Sequence, residues 1–383
     1  MEFKRQIFNE EHNLFREAFN RFLQHEVLPY QEQWEAEGVT PRAVWKALGE
    51  QGFLVPSADE KYGGLGEKDF RYQAIMIEEM SYINECGLLI GLHNSLVAPY
   101  ILDYGSDALK ERVVPKIISG ESILAVAMTE PDAGSDLSAM KTTAKLVDGN
   151  WVLNGQKTFI SNGVNSDVIV VAAKTNPDNP HCMGLFVVER DDPGFKRGEK
   201  LKKIGMHAQD TTELYFEDVK VSPDNVLGDP NMGFRYLMEK LAVERLTLAV
   251  GSVASAQSAI EHTIRYVKER KAFGKPIAAF QNTQFKLAEA KSETEIGQIF
   301  VDRMIEDYNK GTLTPGQACA GKYWTTDLAC KVVDECLQLF GGYGYMQEYP
   351  ISKMYTNVRI GKIYAGTNEI MKSVVAREMG LSK

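Results

Sequence analysis

The chain has 383 residues, more than one ordinary hydrophobic core organises, so two or three domains are expected. Hydrophobic residues make up 44% and charged residues 25%, the balance of a globular protein, and a formal net charge of -9 without any Lys/Arg tract argues against nucleic acid as a partner. No apolar run approaches the roughly 20 residues that span a bilayer, so no membrane is expected either.

The opening MEFKRQIFNEEHNLFREAF mixes acids and bases with Phe3, Ile7, Phe8 and Phe15, unlike a signal or transit peptide. A cytoplasmic protein is expected, or one of the mitochondrial matrix if a transit peptide has been removed. Cys86, Cys182, Cys319, Cys330 and Cys336 are odd in number and form no C-x-x-C, which suits small apolar residues in a reducing compartment. The histidines show no ligand spacing, so no protein-bound metal is expected.

Helical periodicity covers residues 8–37 and 40–52, with Pro41 suited to the first helical position after Thr40 as cap. A Gly-, Pro- and Asp-rich loop, VPSADEKYGGLGEKD, follows, and its glycines do not succeed a strand, so it reads as a turn. Helical periods return over 68–86, 87–104 and 107–119, giving an α-helical domain over residues 1–122. From residue 123 short β-branched and aromatic runs alternate with turn dipeptides, and Asp148-Gly149 is a strong hairpin signal. A middle β domain, a small barrel or sandwich, is placed at 123–228. Residues 229–383 are helical again, led by a periodic stretch over 233–268, roughly 54 Å of helix at about 1.5 Å per residue. Glu244 and Arg245 lie within that helix between Leu241 and Leu248, and a carboxylate so placed is either ion-paired or working.

Five further stretches offer chemistry. MTEPDAGSD (128–136) closes a strand with a turn offering Thr129 and Ser135 hydroxyls and backbone N–H groups, though an ordinary turn fits it as well. Phe159, Ile160 and Ser161 alone read as core. Around Arg270 three cations sit beside a helix end, where dipole compensation is the plain reading. QLFGGYGY (338–345) follows a helix, so it is no dinucleotide fingerprint; its glycines end the helix. IYAGTNEI (363–370) opens the last helix, whose N-terminus suits an anion or polar ring.

Together and in this order, MTEPDAGSD, FISNG, ERKAFGKPIAAFQ, QLFGGYGYMQEYP and IYAGTNEI resemble the acyl-CoA dehydrogenase family of flavoproteins, nearest to its long-chain members, over almost the whole chain. The resemblance implies an α+β multidomain fold ending in a four-helix bundle, and a homotetramer with one FAD per subunit. It implies Val126, Met128, Thr129 and Ser135 along the cofactor, with Phe159 and Ser161 against the other side of its ring system. By the same likeness Arg270, Phe273, Gln281, Gln338, Gly341 and Gly342 reach the FAD of a neighbouring subunit. Thr367 and Glu369 match positions near its adenosine diphosphate half.

One departure matters. Many members read Y-E-G-T where this chain has Tyr364-Ala365-Gly366-Thr367, so the carboxylate that abstracts the α-proton in those members is absent. Long-chain and isovaleryl-type members carry the base on the long helix in an E-R pair, and Glu244-Arg245 matches it. The resemblance therefore implies α,β-dehydrogenation of a medium-to-long-chain acyl-CoA to trans-2-enoyl-CoA. Glu244 would take the α-proton, flavin N5 the β-hydride, and an electron-transferring flavoprotein the electrons. Arg245, Tyr364, Ala365 and Gly366 are assigned to substrate, the Ala365 N–H as donor to the thioester oxygen. A branched- or short-chain dehydrogenase, an acyl-CoA oxidase and a catalytically silent member are the alternatives.

Overall fold

A computed structural model describes residues 3–176, 179 and 181–381. Helix α1 (Glu10–Phe22) starts at a capping box in which Asn9 accepts from the His12 N–H and His12 returns the bond. The single helix expected over 8–37 is instead broken. Pro29 cannot donate to residue 25 and its ring crowds that carbonyl, so Leu23–Val27 widens into a π turn and Leu28–Tyr30 tightens before α2 (Gln31–Glu37). Helix α3 (Arg42–Glu50) begins one residue later than expected, with extended Pro41 at its cap position. The Thr40 hydroxyl accepts from the Trp45 indole N–H at 3.3 Å.

Helix α4 (Phe70–Tyr82) stops short of residue 86, and the chain turns through Asn84 at φ 54°. The helix expected over 87–104 starts three residues late, at residue 90, and widens into a π turn, Leu92–Val97, before α5 (Ala98–Tyr104). Ser106 then caps α6 (Asp107–Ile118). The irregular stretch left between α4 and α5 becomes a wall of the cavity described below.

Strands β1 (Leu124–Ala127), β2 (Thr143–Val147), β3 (Asn150–Ser161), β4 (Val168–Lys174), β5 (Met183–Glu189), β6 (Phe195–Lys200) and β7 (Thr211–Val221) form one sheet ordered β1-β4-β2-β3-β7-β6, with β5 paired to β4. Asp148 and Gly149, at φ 48° and 81°, make the expected β2–β3 hairpin turn. Alternate residues of the central strands enter two different cores. Val126, Val168, Val170, Leu185 and Val187 pack with the N-terminal helices, while Ala127, Ile169, Val171, Phe186 and Val188 pack with Leu153, Leu214 and Phe216 from β3 and β7. The sheet thus curls over its own interior, and β4 and β5 are apolar on both faces instead of alternating.

Helix α7 (Gly233–Glu269) runs for 37 residues, about 55 Å. It is followed by the short hairpin β8 (Lys271–Ala272) and β9 (Lys275–Pro276), then α8 (Gln281–Asn309), α9 (Pro315–Phe340), α10 (Pro350–Val358) and α11 (Asn368–Glu378). Helix α7 packs on α8 and α9 and also on α4, so one element joins the helical ends of the molecule. No helix among the described residues is long and apolar enough to cross a membrane.

Candidate active site

A cavity of about 680 Å³ opens where α7, the end of β1, the β3 edge and the 361–366 turn meet. Its walls gather residues from four of the stretches that the sequence singled out. Val126, Met128, Thr129 and Ser135 line it from β1 and the turn after it, and Phe159 and Ser161 from β3. Glu244 and Arg245 enter from α7, and Tyr364, Ala365 and Gly366 from the turn before α11.

Local geometry explains how each wall is held. The Lys157 ammonium, completely buried, donates to the Met128 carbonyl at 3.1 Å and to Glu130 Oε1 at 2.7 Å. Glu130 also accepts the Lys141 and Thr142 N–H groups at 2.6 and 3.0 Å, and Thr158 N–H reaches the Thr129 carbonyl at 2.9 Å. Burial pushes Lys157 down to about 8 against the pull of Glu130. One step along β3, the register with β7 slips between Lys157 and Ile160, and Phe159 stands in the bulge at φ 58° with 68% of its surface exposed. The sequence placed Phe159, Ile160 and Ser161 as core if taken alone. The bulge instead turns the phenyl ring out into the cavity wall, while Ile160 stays buried.

Three carboxylates among the described residues line the cavity. Glu85 is committed to the Gly87 and Leu88 N–H groups at 2.7 and 3.1 Å, and Asp136 accepts from Ser138 N–H at 3.0 Å. Glu244 differs: its Oε2 is buried with no hydrogen-bond partner among the described residues. Burial pushes its carboxyl up to about 7, with Arg245 and Lys322 opposing the rise. A carboxylate that is half ionised near neutrality and has an uncommitted oxygen in a cavity is equipped to accept a proton.

Facing it is an unusual turn. Ala365 and Gly366 are consecutive left-handed residues, at φ 55° and 86°. Glycine adopts that conformation freely; alanine does so only where neighbours hold it.

The remaining expected residues do not line the cavity. Thr367 caps α11 by accepting from the Ile370 N–H, and Glu369 is exposed in its first turn. Arg270, Phe273, Gln281, Gln338, Gly341 and Gly342 form part of a separate exposed surface. There Phe273 is 95% exposed at the tip of the β8–β9 hairpin, and the Arg270 guanidinium lies over the Tyr343 ring. Sequence reasoning overlooked Tyr100, Lys322 and Asn368, which sit behind Glu244 and the 364–366 turn. A lysine in the otherwise apolar or small stripe Cys319, Lys322, Thr326, Ala329 was the available signal.

The residues present fit a flavin. A large aromatic ring held out of its own core by a bulge suits a planar ring system. The Cβ of a residue at Gly134 would meet nothing within 4 Å, which leaves the turn after β1 open to a ligand.

Comparison with known proteins agrees with this arrangement. Residues 9–121, 125–219 and 231–380 match the models of the acyl-CoA dehydrogenase N-terminal, middle and C-terminal domains. The chain is 45% identical to the mouse long-chain specific acyl-CoA dehydrogenase, mitochondrial, over 98% of its own length and 88% of that protein's. An acyl-CoA dehydrogenase structure from Geobacillus kaustophilus superposes with a TM-score of 0.96 at 48% identity, covering 98% of this chain and 100% of that one. A Bacillus anthracis acyl-CoA dehydrogenase solved in complex with FAD superposes at 0.91, with 32% identity, over 98% of this chain and 68% of the other. With all three domains matched in order around one cavity, the chain belongs to the acyl-CoA dehydrogenase family.

Proposed function

We propose that this protein uses FAD to convert a medium-to-long-chain acyl-CoA into the trans-2-enoyl-CoA, with Glu244 as the base that removes the α-proton. The uncommitted Glu244 oxygen carries this reading, because the other cavity carboxylates are tied to backbone N–H groups. Bound FAD would supply the acceptor for the β-hydride and pass the electrons to an electron-transferring flavoprotein. Met128, Thr129, Ser135, Phe159 and Ser161 would hold it in the cavity. Arg270, Phe273, Gln281, Gln338, Gly341 and Gly342 would meet the cofactor of a neighbouring subunit in a homotetramer, which their exposure permits.

Proton abstraction moves negative charge from Glu244 to the thioester oxygen. The α-proton is far less acidic than a carboxylic acid, so that oxygen needs a donor fixed in advance. The Ala365 N–H is the proposed donor, and a backbone donor works with any side chain at that position. Arg245 lies beside the base, buried to 8% exposure, and would orient it.

Chain length follows from depth. Gly91 and Gly251 both line the cavity, and a Cβ at Gly251 would stand 2.9 Å from Ser81 Oγ, one at Gly91 3.0 Å from Thr247 Cγ2. A side chain at either position would press on the cavity's own lining, Ser81 and Ile77 of α4 or Thr247 of α7, and the acyl tail is placed along this wall. Gly251→Leu is expected to lower kcat/KM for a long-chain acyl-CoA by about 100-fold while sparing a short one. Equal losses on both, measured on folded FAD-containing protein, would remove that position from the acyl path.

The reading as a whole is tested by anaerobic mixing of the purified protein with a panel of acyl-CoAs. Loss of the oxidised flavin absorbance is expected, fastest with medium and long chains. An unchanged spectrum with every thioester would defeat it, and rapid peroxide formation in air would favour an oxidase.

A further inference from the structure

The most deeply buried ammonium on the α9 side of the cavity belongs to Lys322. Its residue surface is 0% exposed, and its Nζ donates to the Gly366 carbonyl at 2.8 Å and to Asn368 Oδ1 at 2.9 Å. Asn368 is itself fixed, donating from Nδ2 to the Tyr323 carbonyl at 3.2 Å, Thr326 Oγ1 at 3.0 Å and Asp327 Oδ1 at 3.1 Å. Both partners of the lysine are neutral. Burying a cation on neutral acceptors is unfavourable unless an anion compensates it nearby.

We propose that Lys322 is a positioning residue for the dehydrogenation: it pins the strained Ala365–Gly366 turn from behind and places a buried positive charge on the side of the cavity that holds Glu244. This rests on Glu244 being the base. Two observations meet in it. Ala365 holds a left-handed conformation that an alanine keeps only under constraint, and the lysine grips the next residue's carbonyl. Helix α9, which carries the lysine, packs along α7, which carries Glu244, and the buried ammonium opposes the rise that burial imposes on that carboxyl. During proton abstraction the negative charge would pass from one neighbour of Lys322, the carboxylate, to another, the thioester oxygen beside the turn it holds. The cation would therefore favour the resting ionised base without opposing the transfer.

The other groups around this pair are accounted for. Glu244 faces Arg245 on its own helix, Tyr100 from α5 and Tyr364 from the turn. Lys322 faces Arg245, Asp327 and Glu369 as well as the Cys319 thiol. Arg245 remains in any Lys322 variant, so the expected change is a shift of the base and not its loss.

The test is the pH dependence of kcat/KM with a good acyl-CoA substrate for the parent, Lys322→Met, Lys322→Gln and Glu244→Gln, on the FAD-containing proteins. Removing the cation makes ionised Glu244 less favourable, so its titration moves up. Because the ionised form is active, the acid limb should move to higher pH by roughly one unit in both Lys322 variants. The rate should fall about fivefold at pH 7 and return close to the parental value by pH 9. A limb that stays in place, a loss equal at every pH, or failure of both neutral variants to fold would make Lys322 structural and overturn the proposal. A limb that survives unchanged in Glu244→Gln would instead defeat Glu244 as base.

Discussion

Glu244→Gln is expected to leave the protein folded and loaded with FAD while slowing its reduction by acyl-CoA at least about 10³-fold. The amide fills the same space at the same point of α7 but cannot accept the α-proton, and Glu85 and Asp136 are already committed elsewhere. In the parent, kcat/KM should rise with pH through about 7, where burial has pushed the Glu244 carboxyl, because only the ionised form is a base. The same burial has a consequence for stability. A carboxyl whose folded pKa lies above its unfolded one binds more protons when folded, so stability is lost as pH rises between the two values. The Gln variant should therefore melt higher than the parent at pH 8, with the gap closing as pH falls toward the ordinary carboxylate range. Retained bleaching in the Gln variant would end the assignment, and an unchanged gap across pH would show that Glu244 is not buried as described.

Lys157→Met is expected to destabilise the protein by about 3–5 kcal/mol, the usual result of removing one partner of a buried ion pair. Lys157 is fully buried and Glu130 nearly so, and the carboxylate would keep only backbone donors. Burial alone would raise the Glu130 carboxyl; Lys157 overrides that and holds it below its ordinary value. Without the lysine the Glu130 pKa should rise above its unfolded value, so the variant loses further stability as pH increases from about 5 to 8. Denaturant unfolding at both pH values checks this. Adding Glu130→Gln should recover part of the loss and flatten the pH dependence. Because Lys157 also holds the Met128 carbonyl on the cavity wall, weaker FAD retention should accompany the lower midpoint. An unchanged midpoint at both pH values would show that the pair contributes nothing.

Much of this protein is legible in its sequence. The α–β–α order, the Asp148-Gly149 hairpin and the 37-residue helix that carries Glu244 follow from periods and turn dipeptides, which report local geometry directly. The helix breaks at Pro29 and over residues 83–89 escape the apolar period, for a local and a distant reason respectively. A proline's effect on the preceding turn is written in the chain but masked by an unbroken apolar period. The stop at Tyr82 reflects the cavity wall that the following loop must form, which no helical period encodes.

The sequence by itself determined which residues are candidates. A carboxylate set one turn from leucines in a long helix, and a Y-A-G-T turn lacking its own carboxylate, follow from spacing and likeness alone. Only the tertiary structure decided what those residues can do. Glu244 is 115 residues from Thr129 and 121 from Ala365, and the cavity exists because α7 crosses the curled sheet and the last turn at one place. The Phe159 bulge, the uncommitted oxygen of Glu244 and the lysine behind Ala365 depend on strand register and helix packing. These are set by contacts between distant parts of the chain, which local periodicity cannot register.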